Sequence, residues 1–172
     1  PGTIAKSYQF IKLSQIDAEH STHVEFFRHP MIGSWPFSTA EQGWPVADCT
    51  AEGLSATLAI HHSGLVKPAI DEQRIKQAVD IILSYQNTDG GWATYELSRA
   101  PKWLEKLNPS EVFADIMIDY SWTVCTAACV ISLLEIQETY PGFKNSEIRK
   151  AISAGLNFIL GQQKPDGSWY GG

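Results

Sequence analysis

Residues 47–52 read Ala47-Asp48-Cys49-Thr50-Ala51-Glu52. A carboxyl stands beside a thiol, and a second carboxyl, Glu52, follows one helical turn after Asp48. At the start of a helix such an aspartate can cap orphan backbone N–H groups. Held away from water, where the neutral form is favoured, a carboxyl can instead act as a general acid. Spacing alone favours the cap and leaves the acid open. A related triplet, Cys125-Thr126-Ala127, opens a second apolar run 76 residues further on (49 to 125). The histidines add no metal site by spacing. His20, His23 and His29 fall in a polar stretch, and His61 and His62 are expected at the surface end of a helix.

The elements that must position these groups repeat. One segment ends Gln86-Asn87-Thr88-Asp89-Gly90-Gly91-Trp92, and another ends Gln163-Lys164-Pro165-Asp166-Gly167-Ser168-Trp169. Both read Q-x-x-D-G-x-W. A looser earlier version runs from Gln15 to Gly33-Ser34-Trp35 after an insertion. The unit is therefore a helix carrying C-T-A followed by a helix ending in the turn. Glycine allows the positive φ of such a turn. The tryptophan can fold back on the preceding helix end while the glutamine amide reaches the next helix. A scaffolding role is expected for the turns.

Apolar spacing predicts helices over 48–62, 71–86, 120–140 and 149–162, with Gly64 as a stop and Ser146 as an N-cap. No stretch alternates as a strand bounded by hairpin turns. The fold class is all-α. The C-T-A helices are apolar nearly all round, hence inner, and those ending at Gln86 and Gln163 carry charge on one side, hence outer. Alternating inner and outer helices make an α/α barrel or toroid, whose units bury each other's faces.

The 172 residues are 44% hydrophobic and 19% charged, which argues against disorder. A net charge of −6 argues against a nucleic-acid partner, since phosphate binding needs a basic face. No apolar run reaches the roughly 18 residues of a spanning helix. Three cysteines make no disulfide framework, so a reducing compartment is expected. The ends, Pro1 and Tyr170-Gly171-Gly172, suggest a fragment of a larger domain.

Asp48-Cys49-Thr50-Ala51-Glu52, with Trp35-Pro36-Phe37-Ser38-Thr39 before it and the two turns after it, resembles the oxidosqualene cyclase family. Asn108-Pro109-Ser110-Glu111-Val112-Phe113 and Asp115-Ile116-Met117-Ile118-Asp119-Tyr120 carry the same resemblance. It covers the whole chain and about a quarter of a family member. It implies an isomerase that protonates the epoxide of 2,3-oxidosqualene and cyclises it to a sterol or triterpenoid. It also implies a second α/α-barrel domain and one-sided membrane binding by parts outside this chain. The full-length protein would then sit inside the cell, on the endoplasmic reticulum or lipid droplets. No metal or other cofactor is implied.

By the same resemblance, Asp48 is the acid, Cys49 and Cys125 are thiol donors to it, and Glu52 helps resupply the proton through water. Phe37, Tyr95, Trp122 and Ile116 match cavity-lining positions, where aromatic faces stabilise cations. Tyr95 matches a tyrosine paired with a histidine that lies outside this chain. Trp122 stands where many lanosterol synthases have tyrosine, which leaves the product open. Cys129 is assigned to packing. Squalene-hopene cyclases carry D-x-D-D-T-A and protonate an alkene. Val46-Ala47-Asp48-Cys49 has one of those three aspartates, so an epoxide fits better. Two alternatives remain: a squalene-type cyclase and a non-catalytic helical-repeat binding module. The isolated chain is expected to be inactive.

Overall fold

The computed structural model describes residues 2–39, 41 and 43–169. Pro1 and Tyr170 to Gly172, on which the fragment reading partly rests, lie outside the described residues. The described residues form five α-helices: α1 (Gly2–Ser14), α2 (Ala47–Ser63), α3 (Glu72–Ser84), α4 (Thr123–Thr139) and α5 (Asn145–Gln162). A 3-10 turn covers Lys102–Leu107. The described residues form no strand, only isolated bridges such as Trp92 with Trp122. The all-α expectation holds.

The inner and outer assignment is also met. The C-T-A helices α2 and α4 pack on each other, α3 backs α2, α5 backs α4, and α1 adds to α2. Leu54 and Leu58 of α2 meet Ile75, Val79 and Ile82 of α3 and Leu133 and Ile136 of α4 in one buried cluster. This is a segment of an α/α toroid, two layers deep. Apolar residues on the outer flanks stay exposed, among them Val124 and Ile131 of α4 and Leu156 and Leu160 of α5.

Helix ends follow local chemistry. Gly64 stops α2 in the left-handed region at φ 63°. Asp71 caps α3, its side chain accepting from Arg74 N. One expected cap is corrected. α5 begins at Asn145, so Ser146 lies inside its first turn. Lys144 precedes the helix at φ 43°, and its Nζ meets Asp80 Oδ1 of α3 at 2.9 Å. No side chain caps this start, and the Lys144–Asp80 pair ties it to α3.

The turns close in the same way three times. Trp35 donates its indole N–H to Ile11 O, Trp92 to Ile82 O and Trp169 to Ile159 O, at 2.7–2.8 Å. Gly33, Gly90 and Gly167 each take positive φ, between 86° and 98°. Gln15, Gln86 and Gln163 each donate to the carbonyl of that glycine. Glutamine and glycine are 18 positions apart in the first copy and four in the others. The looser copy is thus the same device with residues inserted. Gln86 also donates to Ala151 O of α5 at 2.9 Å, joining consecutive outer helices.

Losing both Gln86 bonds leaves two carbonyls short of a donor at a half-buried site. Gln86→Ala should lower unfolding stability by about 1–3 kcal/mol. Gln163→Ala, at an exposed site with one bond, should cost under about 0.5 kcal/mol. Denaturant unfolding of the two variants checks the contrast, and equal losses would contradict it.

Candidate active site

The start of α2 is built by the turn before it. Val46 is the N-cap residue, extended at φ −128°, with no side-chain cap. Its N–H donates to Trp35 O, while Trp35 N donates to the Thr50 hydroxyl at 3.0 Å. Thr50 therefore ties the acid motif to the first turn. Thr126 does the same for Trp92 at the start of α4. Sequence reasoning missed both threonines, although their shared place in C-T-A was a usable signal.

Asp48 is not the N-cap. It is the second residue of α2, and its Oδ1 accepts from Cys49 N at 2.7 Å. This satisfies one orphan donor near the positive end of the helix. Because α2 and α4 lie side by side, Asp48 acts on three thiols. Burial, then the charge of Asp48 and hydrogen bonding to it, pushes the Cys49 thiol up to about 11. Burial and the Asp48 charge push the Cys125 thiol up to about 12, against an opposing hydrogen bond with Thr94. Cys129 is raised as well, first by complete burial. All three are free cysteines that keep their protons at neutral pH, so they can donate but are poor nucleophiles. Cys129 does more than pack: its thiol meets Ala47 O at 3.7 Å.

The shelter expected around Asp48 is partial. Asp48 and Cys49 are half-buried, Cys125 is buried and Glu52 is exposed. The lining residues are open too. Phe37 is 76% exposed, Ile116 53% and Tyr95 41%. Trp122 is half-buried and fixed through its backbone, with Trp122 N donating to Trp92 O. Tyr95 and Trp122 line different clefts. Tyr95 shares one of about 480 Å³ with Trp44, Glu96, Leu97 and Asp119. Trp122 shares another of about 640 Å³ with Asp115, Tyr120 and Phe158 among others.

The first cleft has an ionic back wall that the sequence did not reveal. Glu96 pairs with Arg28, His29 and Arg99. Burial alone would raise the Glu96 carboxyl, but hydrogen bonds from Arg28 and His29 outweigh it and hold it below the usual range. The Arg28 guanidinium lies 3.3 Å over Trp44, whose ring meets Tyr95 edge-on at 6.1 Å. His29 is thus engaged with an acid across the chain. His61, expected at the surface, is half-buried because it packs on Tyr8 and hydrogen-bonds its hydroxyl. Among the described residues no group of three or more His, Cys, Asp or Glu could hold a metal ion. Nor is any helix of the described residues long and apolar enough to cross a membrane.

Comparison with known proteins places the chain in a family. The chain is 44% identical over 163 residues to cycloartenol synthase of Dictyostelium discoideum, covering 94% of this chain and 23% of that protein. It is 43% identical to lanosterol synthase of Pneumocystis carinii (96% of this chain, 23% of the relative). To lanosterol synthase of Mus musculus it is also 43% identical (98% and 23%). The chain therefore spans 23% of the length of each of these relatives. Residues 3–172 match the squalene-hopene cyclase C-terminal domain. With helix pairs, repeated turns and acid motif all lying inside that matched span, the chain belongs to the squalene-hopene cyclase C-terminal domain family.

Proposed function

We propose that this chain carries the proton-donating site of an enzyme that cyclises 2,3-oxidosqualene to a sterol or triterpenoid. One observation supports the reading most. Adjacent helices set the Asp48 carboxyl beside Cys49 and within electrostatic reach of the protonated Cys125 thiol. The names of the relatives, lanosterol and cycloartenol synthase, fit the product class.

In this reading Asp48 transfers its proton to the oxirane oxygen, and the carbon–oxygen bond breaks. The cation at carbon is attacked in turn by the substrate's own double bonds. Loss of a proton ends the cascade, so the reaction is an isomerisation. Hydrogen bonding from Cys49 and the helix start stabilises the carboxylate left behind, with the neutral Cys125 thiol nearby. Glu52, exposed one turn away, returns a proton through water in this reading. Phe37, Tyr95, Ile116 and Trp122 supply apolar or aromatic wall that stabilises charge without attacking it. Membrane attachment, on the endoplasmic reticulum or lipid droplets, falls to parts of the full-length protein outside this chain.

In the full-length enzyme Asp48→Asn should cut turnover of the epoxide by about 10²–10⁴-fold with an unchanged circular dichroism spectrum. Gas chromatography of products measures it, and retained turnover refutes the acid. Squalene should give no product under conditions where its epoxide does, since an alkene is a weaker base than an oxirane oxygen. The isolated 172-residue chain should form no cyclised triterpene, because its lining residues stand open. Iodoacetamide should modify Cys49 and Cys125 slowly at pH 7 to 8, with the Cys49 rate climbing toward pH about 11. Fast labelling at neutral pH would mean thiolates, which could not donate.

A further inference from the structure

Thr94 sits where three parts of the site meet. Its carbonyl accepts from Ala47 N at 2.7 Å, one residue before the proposed acid. Its side chain acts on the Cys125 thiol, opposing the upward push of burial. Its N–H donates to Asp119 Oδ1 at 3.1 Å, and the next N–H, that of Tyr95, donates to Asp119 Oδ2 at 2.8 Å. The Ser98 hydroxyl returns to the carbonyl of Asp119. Asp119 lies four residues before α4.

The pairing of Trp92 with Trp122 ends just before this loop, so no ladder serves the two N–H groups. A carboxylate with one oxygen for each takes the place of a strand. Hydrogen bonds to a charged acceptor are roughly twice as strong as neutral ones. Asp119 and Tyr95 also line the same cleft of about 480 Å³. One side chain thus governs where the Tyr95 backbone lies, and reaches α2 and Cys125 through Thr94.

We propose that Asp119 is a positioning residue that clamps the Thr94–Tyr95 peptide, holding the Tyr95 ring at the cleft and keeping the start of α2 in register with Cys125. This deepens the cyclase reading and rests on it. A loop brace that served folding alone would leave the chemistry untouched once the protein had folded. A positioning clamp alters the chemical step more than substrate binding, because small displacements of aligned groups slow reaction steeply.

The test uses the full-length enzyme with 2,3-oxidosqualene. Asp119→Ala removes both acceptors and Asp119→Asn keeps one. Asp119→Ala should lower kcat by about tenfold or more while KM moves less than about threefold. Asp119→Asn should fall between it and the parent, and both should release more incompletely cyclised product. Unchanged kcat and product pattern in folded protein overturn the proposal, even if Tm falls. If Asp119→Ala does not fold, the Asp119→Asn result decides. Peptide-mapped alkylation of Cys125 at pH 8 gives a readout independent of turnover. It should quicken about threefold or more in Asp119→Asn, as the loop loosens and a nearby negative charge is lost. If the parent enzyme does not cyclise the epoxide, the cyclase reading fails, and an unchanged alkylation rate then overturns the clamp separately.

Discussion

The arrangement depends on where each turn tryptophan sends its N–H groups. Buried polar groups must find partners, and Trp92 is fully buried. Its indole N–H goes back to Ile82 O of the outer helix just left. Its backbone N–H goes to the hydroxyl of Thr126 on an inner helix. One residue therefore joins the outer layer to the inner layer, and Trp35 does so through Ile11 O and Thr50. Thr50 lies two residues after Asp48. The turn and the run that carries Asp48 share a residue, so the backbone at the start of α2 cannot shift without straining the turn.

The glycines of these turns show how closely the parts fit. A Cβ on Gly90 would stand 2.6 Å from Ala154 O of α5, at a backbone φ of 89°. Glycine is required there by both conformation and space. At Gly167 the φ is similar but nothing lies within 4 Å, so only conformation requires it. The same motif position thus carries both a packing and a conformational constraint in one copy and only the conformational one in another.

Electrostatics at the start of α2 follows from layer order. Two inner helices in contact bring one acidic side chain among three thiols, and burial keeps those thiols protonated. A protonated thiol is a weak donor that adds little negative charge of its own. It can accompany a carboxylate without the repulsion of a second acid. The longer-range frame is ionic. The insertion ahead of α2 is held by Glu96, whose arginine partner Arg28 covers one face of Trp44. A polar stretch that carries no metal or catalytic spacing thereby supports the aromatic cleft.

The acid role proposed for Asp48 came from family resemblance, whereas local pattern determined the helices, their inner and outer ranks and the three related turns. Each rests on short-range chemistry: apolar period, glycine conformation and a fixed run of residues. Distant pairings were not legible. Thr50 with Trp35, Asp119 with the Thr94–Tyr95 peptide, and Glu96 with Arg28 join residues 15 to 68 positions apart. The sequence did not show that Lys144 rather than Ser146 would stand at the helix start, where it pairs with Asp80 on another helix. It also did not show that His61 would turn inward to Tyr8. Nor could it show that Asp48 stands half-buried, since exposure depends on which surfaces the packed layers bring over it. Periodicity and turn chemistry act between neighbours in the chain, whereas the partners of a buried N–H or carboxylate are chosen only once helices pack.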